Sequence, residues 1–288
     1  MDSNLVRRVG FAAVAIPVAL GVVWLGGWLL VALLAAIGVL GTREVFDFSH
    51  RQGIRGSNGI ALVTAAAFAP LAYLVITGTD AGRVIGAWWP YVAALWVVAT
   101  LTWALAARHP TDRPLEAVAL TLFAPLYAAG LPAFLLVLRH GTQPVRSWPG
   151  TWLVFFPLVV TWVCDTAAMF GGRAMKGPKL APTVSPGKTR SGSAAGVVGG
   201  LAVAVVFGLA VFPRLGVPAS LGSLLLMALV WSTLGQVGDL AESLFKREVG
   251  VKDSSALIPG HGGVLDRFDS LYFVVPLAAA LYRFFGLV

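Results

Sequence analysis

Apolar residues run in long blocks along this chain, and the polar residues are gathered between them. Nine blocks are long enough, or nearly so, to cross a hydrocarbon core that needs about 20 residues per helix. They cover 9–25, 28–40, 58–77, 86–106, 115–138, 151–170, 193–212, 218–238 and 268–286. The pattern predicts an all-α, polytopic integral membrane protein of about nine transmembrane helices with polar loops. Glycine and proline mark the breaks, as at Pro213 and Pro218. Only Gly26 and Gly27 separate the first two blocks, which form either a tight helical hairpin or one long kinked helix. The first block follows Arg7 and Arg8 and runs into the second without a small-residue cleavage site, so it reads as a retained signal anchor.

Composition agrees with that pattern. The chain is 58% hydrophobic and 12% charged, where a soluble domain carries about 25% charged residues. Its mean hydropathy is +0.83. The single cysteine, Cys164, excludes an internal disulfide framework and a cysteine-cluster metal site. The chain divides into an N-terminal half, 1–150, of about five spans and a C-terminal region, 151–288, that carries the polar motifs.

The net charge of +8 is better read as loop charge obeying the positive-inside rule than as a nucleic-acid surface. With nine alternating spans, all of the 21 Lys and Arg except Arg83, Arg139, Arg146, Arg214 and Arg283 fall on one side. That bias puts the N-terminus and the two long polar loops, 171–192 and 239–267, in the cytoplasm. Of the 13 acids only Asp80 falls on the opposite side.

Four constellations carry chemistry. If the span from 218 continues as a helix, Asp239, Glu242, Ser243 and Lys246 share one face at i, i+3, i+4 and i+7. Next comes His261-Gly262-Gly263, followed by Asp266, Arg267 and Asp269 at the start of the last span. The glycines let backbone approach a ligand closely. His261 is equally well read as a catalytic base or metal ligand and as a hydrogen-bonding loop residue. Third, Asp165 sits inside an apolar span, where a carboxylate is costly and needs a partner. Three spans thus bring acids to similar depth, as one or two hard cations bound by carboxylates would require. Fourth, Ser185-Pro186-Gly187-Lys188-Thr189 forms a basic, hydroxyl-bearing loop suited to phosphate. It is not a P-loop, because Pro182 stands where that motif needs glycine and no strand precedes it.

The stretch 243–269 resembles the signature of the phosphatidate cytidylyltransferases, or CDP-diacylglycerol synthases. The signature is met by Ser243, Lys246, Arg247, Lys252, Asp253, Pro259, His261, Gly262, Gly263, Asp266, Arg267 and Asp269. The resemblance extends upstream through Gly238-Asp239, the Ser185–Thr189 loop and Asp165-Thr166. Two positions depart from it: Gly187 and Ser191 stand where the family usually has lysine and an acid.

The resemblance implies transfer of the cytidylyl group of CTP to phosphatidic acid at the lipid bilayer, giving CDP-diacylglycerol and pyrophosphate for phospholipid biosynthesis. It implies Mg²⁺ on Asp239 and Asp266, with Asp165 a further candidate ligand, and leaves room for a second, monovalent cation. Lys246, Arg247 and Arg267 would stabilise charge on the pyrophosphate. Ser185, Lys188, Thr189, Ser243, Lys252, Asp253, His261, Gly262, Gly263 and Asp269 are the implied substrate contacts. The expected setting is the inner (plasma) membrane, multi-pass. A homodimer stays open.

Two other readings compete. A CTP-dependent polyprenol kinase or a CDP-archaeol synthase would share CTP, but the match over 243–269 favours diacylglycerol phosphate. A cation-coupled transporter would place its acids near the bilayer midplane, often with inverted repeats. Here the acids lie at span ends beside basic loops, and no internal repeat is evident.

Overall fold

The fold is all-α and polytopic, as the pattern predicts. The computed structural model describes residues 17–258 and 262–288. Among these, seven helices are long and apolar enough to cross a membrane. They are α1 (Gly27–Arg51), α2 (Asn58–Ile76), α3 (Asp80–Ala107), α4 (Pro114–His140), α5 (Trp148–Met175), α6 (Arg190–Val211) and α7 (Leu221–Glu248). The short α8 (Leu265–Phe268) and α9 (Leu271–Phe284) follow. Nine spans were expected. The first expected span is helical over 17–25, and the rest of it lies outside the described residues. The last corresponds to α9, whose 14 residues fall short of the roughly 20 that cross a bilayer alone.

Gly26 and Gly27 both adopt positive φ, 60° and 58°, and break the helix between 25 and 27. The break is spliced by the end of α4. Arg139, fully buried, donates from Nε to the Val23 carbonyl and from Nη2 to the Trp24 carbonyl, while the Gly27 amide donates to His140 Nε2. Arg139 thus supplies donors to carbonyls that a helix end leaves unpaired. Its third contact, Nη1 to the Pro144 carbonyl, ties in the following loop.

The second expected span, 28–40, runs on to Arg51 as α1. The added turns bury Val45, Phe46 and Phe48 in a core with Leu120, Tyr127 and Tyr272 from α4 and α9. A larger core joins α1, α5, α6, α7 and α9. There Phe156 lies between Phe207 (ring centroids 4.8 Å apart) and Trp231 (5.1 Å). α5 and α6 approach closely because their facing positions are small, with Gly192, Gly196 and Gly200 against Gly172, Ala168, Cys164 and Val160. Gln236 of α7 fastens to this pair by donating to the Ser193 carbonyl of α6.

The polar loop expected over 171–192 is ordered. α5 continues to Met175, and an antiparallel hairpin of β1 (Lys179–Ala181) and β2 (Ser185–Thr189) follows, with Lys179 opposite Thr189. The hairpin ends where Thr189 caps α6, its Oγ1 accepting from the Gly192 amide at 3.1 Å. Ser191 Oγ donates to the Lys176 carbonyl. An acid, usual at this position in the resembling family, has no proton to give that carbonyl.

Candidate functional site

The motifs converge on one cavity of about 1220 Å³. Its polar end holds Asp165 of α5, Lys188 and Thr189 of the hairpin, Asp239 of α7, and Asp266, Arg267 and Asp269 at the start of the last helices. Its apolar walls hold Leu30, Leu33, Leu34 and Ile37 of α1 and Leu158 and Trp162 of α5. Residues more than 100 positions apart thus meet because α5, α6 and α7 pack side by side and α9 returns beside α7.

Asp239 is reached by a cation from the hairpin. Lys188 Nζ lies 2.6 Å from its Oδ2, and Ser243 Oγ donates to its Oδ1 at 3.3 Å. The expected stripe exists, because α7 is continuous through Glu248. Its members do not all serve the cavity, however. Glu242 is fully buried, and Lys246 sits behind the cavity wall with its ammonium 3.1 Å from Glu242 and 2.7 Å from Asp266. A long cation clamped by two carboxylates in a dry site is an element of architecture. It fixes Asp266 from the side away from the ligand space.

Asp266 is the most heavily bonded acid of the site. Its Oδ1 takes Lys246. Its Oδ2 accepts from the Ser254 amide at 2.7 Å and the Gly263 amide at 2.8 Å, and lies 2.9 Å from Ser254 Oγ, whose single proton it shares with Glu44. Burial pushes its pKa up, but the Gly263 amide, Lys246 and the Ser254 amide outweigh that and hold the carboxyl below the usual range.

The glycine pair takes a different part from the one expected. Gly262 has a φ of 80°, and side-chain carbon there would press on Asp266 Oδ2. Carbon at Gly263 would overlap Ser254 Oγ and both carboxylate oxygens of Glu44. The close approach that glycine permits is therefore to the chain's own carboxylates. Ile258 and Gly262 pair with one another, the Ile258 amide donating to the Gly262 carbonyl. His261 and Pro259 lie outside the described residues.

Arg247 holds the hairpin to the end of α7, donating from Nε to the Val184 carbonyl and from Nη1 to the Val251 carbonyl. Ser185 pairs opposite Ala181 within the hairpin. Lys252 and Asp253 are exposed and do not line the cavity. Thr189 spends its hydroxyl on the α6 cap.

Sequence reasoning missed Glu44. It is 4% exposed, and its carboxylate accepts from four groups of the 254–265 segment. An acid within an apolar helix needs partners, and that signal was available in the sequence.

Among the described residues, the anionic donors of the cavity are the carboxylates of Asp165, Asp239, Asp266 and Asp269, and carboxylate oxygen suits a hard cation such as Mg²⁺. Among the described residues, no three His, Cys, Asp or Glu side chains stand together as a ready-made cage. That also suits Mg²⁺, which usually takes one or two carboxylates and completes its shell with waters and substrate phosphates.

A model of the cytidylyltransferase family matches residues 6–285. A protein of Brucella suis called phosphatidate cytidylyltransferase is 36% identical over 289 aligned residues, covering 98% of this chain and 93% of its own. Proteins with the same name from Haemophilus influenzae and Bacillus subtilis are 41% and 44% identical over 149 and 137 residues. These alignments cover 52% and 48% of this chain and 51% and 49% of theirs. Since the match runs through the N-terminal helices as well as the motif-bearing end, the chain as a whole belongs to the cytidylyltransferase family.

Proposed function

We infer that the chain transfers the cytidylyl group of CTP to phosphatidic acid, releasing pyrophosphate and leaving CDP-diacylglycerol in the membrane. The observation that carries this reading is the amphipathic cavity, in which aliphatic walls from α1 and α5 run into a floor of Asp165, Lys188, Asp239, Asp266, Arg267 and Asp269. A ligand with acyl chains and a phosphate matches both ends at once.

In this reaction a phosphate oxygen of the lipid attacks the α-phosphorus of CTP, and the bond to the β-phosphate oxygen breaks. The attacking phosphate is already an anion, so no strong base or protein nucleophile is required. What the protein must supply is alignment and charge stabilisation. Asp239, with Asp165, Asp269 and Asp266 near it, would hold Mg²⁺, which supplies neutralisation of the triphosphate charge when bound. Lys188 and Arg267 line the same end of the cavity and can pair with phosphate oxygens. Arg247 keeps the hairpin that carries Lys188 in place.

The cation bias puts the site and the N-terminus on the cytoplasmic side of the inner membrane, where CTP is at hand. Purified protein given CTP, phosphatidate and Mg²⁺ should form CDP-diacylglycerol and pyrophosphate in equal amounts. Formation of CDP with a phosphorylated lipid would instead make it a kinase.

A further inference from the structure

Glu44 lies in the N-terminal half, two hundred residues from the signature, yet among the described residues its carboxylate is bonded by Ser254, Ser255, Val264 and Leu265, which flank Asp266 in space. Its Oε1 accepts from Ser255 Oγ at 2.7 Å and the Val264 amide at 2.9 Å. Its Oε2 accepts from Ser254 Oγ at 2.8 Å and the Leu265 amide at 2.9 Å. Unlike Asp266, Glu44 is not part of the cavity lining, so its carboxylate serves these four groups and not a ligand.

Neighbouring groups bond Asp266 from its other face. Ser254 and Gly263 contribute their amides to Asp266, and the single Ser254 hydroxyl proton is shared between Asp266 Oδ2 and Glu44 Oε2. Ser254 Oγ and the Gly263 backbone therefore lie between the two acids. Ser254, Ser255 and Gly263 to Leu265 thus lie between Glu44 on the helix-bundle side and Asp266 on the cavity side. α1 is held in turn by its own core of Val45, Phe46 and Phe48.

We propose that Glu44 is a positioning residue for the cytidylyl transfer: it docks Ser254, Ser255, Val264 and Leu265 on α1 and so fixes Asp266 and Arg267 at the reacting end of the cavity. This rests on the function inferred above. A displacement of about 1 Å at such a site costs on the order of a hundredfold in rate. Glu44→Gln keeps the size of the side chain but turns an NH₂ toward two of the four donors. Glu44→Asp keeps the charge and draws it back by one methylene.

The test uses the full chain in detergent or vesicles, with two readouts. In steady-state kinetics, Glu44→Gln should lower kcat about a hundredfold, move the KM for phosphatidate less than about threefold, and be partly rescued in Glu44→Asp. In hydrogen exchange without substrates, the Val264 and Leu265 amides of Glu44→Gln should exchange at least about tenfold faster than in the native chain. The amides of α5 and α6 should stay protected. A merely structural acid would instead lower the melting temperature and loosen the whole bundle. Should Glu44→Gln fail to fold, Ser255→Ala removes one donor and should show the same two effects in smaller degree. Glu44→Gln with near-native kcat, or with exchange raised equally throughout, overturns the proposal. A native chain that makes no CDP-diacylglycerol refutes the inferred function instead, and the exchange result still decides whether Glu44 holds Val264 and Leu265.

Discussion

Lys188 Nζ and Asp239 Oδ2 lie 2.6 Å apart, bridging the β-hairpin and α7 across the polar end of the cavity. Both side chains are about a quarter exposed and line the cavity. An ion pair in that place balances the charge of both groups. It can part when phosphate takes the cation.

Lys188→Met should therefore raise the KM for CTP and lower kcat/KM by about ten- to a hundredfold, with the protein folded. Combined with Asp239→Asn it should add little, because the two residues act on one another directly. Initial rates across a CTP series for the two single variants and the double variant check this. Strict additivity of the losses would show that the pair is not a functional unit.

Asp239→Asn itself should remove turnover by about a thousandfold or more, the scale expected for loss of a principal metal ligand. Chelation of divalent cations should do the same to the native chain, and added Mg²⁺ should restore it. Asp269→Asn, which alters a second carboxylate of the same cavity, should shift the Mg²⁺ dependence to higher concentration. Titrating activity against Mg²⁺ separates these effects. An Asp239→Asn variant with near-native activity would remove the metal assignment.

The Lys246–Asp266 pair gives a pH dependence with a definite sign. The folded Asp266 carboxyl is held below its ordinary range, so the unfolded chain binds its proton first. The pair's contribution to stability is complete above the ordinary carboxylate range and is lost as pH falls through the folded value. Lys246→Met removes one of the groups that lower this pKa. The acid edge of the activity profile should then move to higher pH, and stability should fall by about 3–5 kcal/mol, since the buried Glu242 and Asp266 lose their shared cation. Thermal unfolding across acid pH measures both. An unmoved acid edge would sever the link between Lys246 and Asp266.

Much of the site was legible in the sequence, and the gaps have physical causes. Block hydrophobicity marks helices, so α1 to α7 were found, but it stops where polar residues begin. The second span therefore ended at 40, and Glu44 fell among loop acids when it is an acid inside a helix. Asp165 was recognised by that same criterion because its span was drawn long enough. Arg139 was counted as a loop cation, although it is wholly buried as a cap for carbonyls 116 and 115 residues upstream. Such long-range partners leave no periodic trace. The stripe Asp239–Lys246 was found by spacing alone. Spacing does not say which members of a stripe face a cavity, so Lys246 was assigned to the ligand when it supports Asp266.

Topology is open to a chemical test. With Cys164 replaced, a cysteine at Gly187 in the hairpin or at Ala256 in the later loop should react only with membrane-permeant reagents in intact cells. A cysteine at Arg214 should react with impermeant ones. All three positions are exposed. Impermeant labelling at Gly187 or Ala256 would reverse the orientation that the cation bias predicts.

The shape of the cavity finally predicts how the lipid arrives. Each CH₂ of phosphatidate costs about 0.8 kcal/mol to bring into water, so two long chains confine the substrate to the bilayer. The cavity offers those chains Leu30, Leu33, Leu34 and Ile37 on one side and Leu158 and Trp162 on the other, with Leu33 and Trp162 well exposed. The phosphate would then meet Lys188 and Arg267 at the polar end, where CTP arrives from water. The lipid should accordingly slide in sideways from its leaflet. In mixed micelles the rate should follow the surface fraction of phosphatidate and ignore its bulk concentration. Leu33→Trp, which adds bulk at an exposed position of the apolar wall, should raise the surface KM for long-chain phosphatidate several-fold while the KM for CTP stays within about twofold. Arg267→Glu should depress kcat for long- and short-chain substrates alike, because it acts at the phosphate end. A rate that tracks bulk phosphatidate at fixed surface fraction would mean that the lipid is taken from water, and lateral access would be wrong.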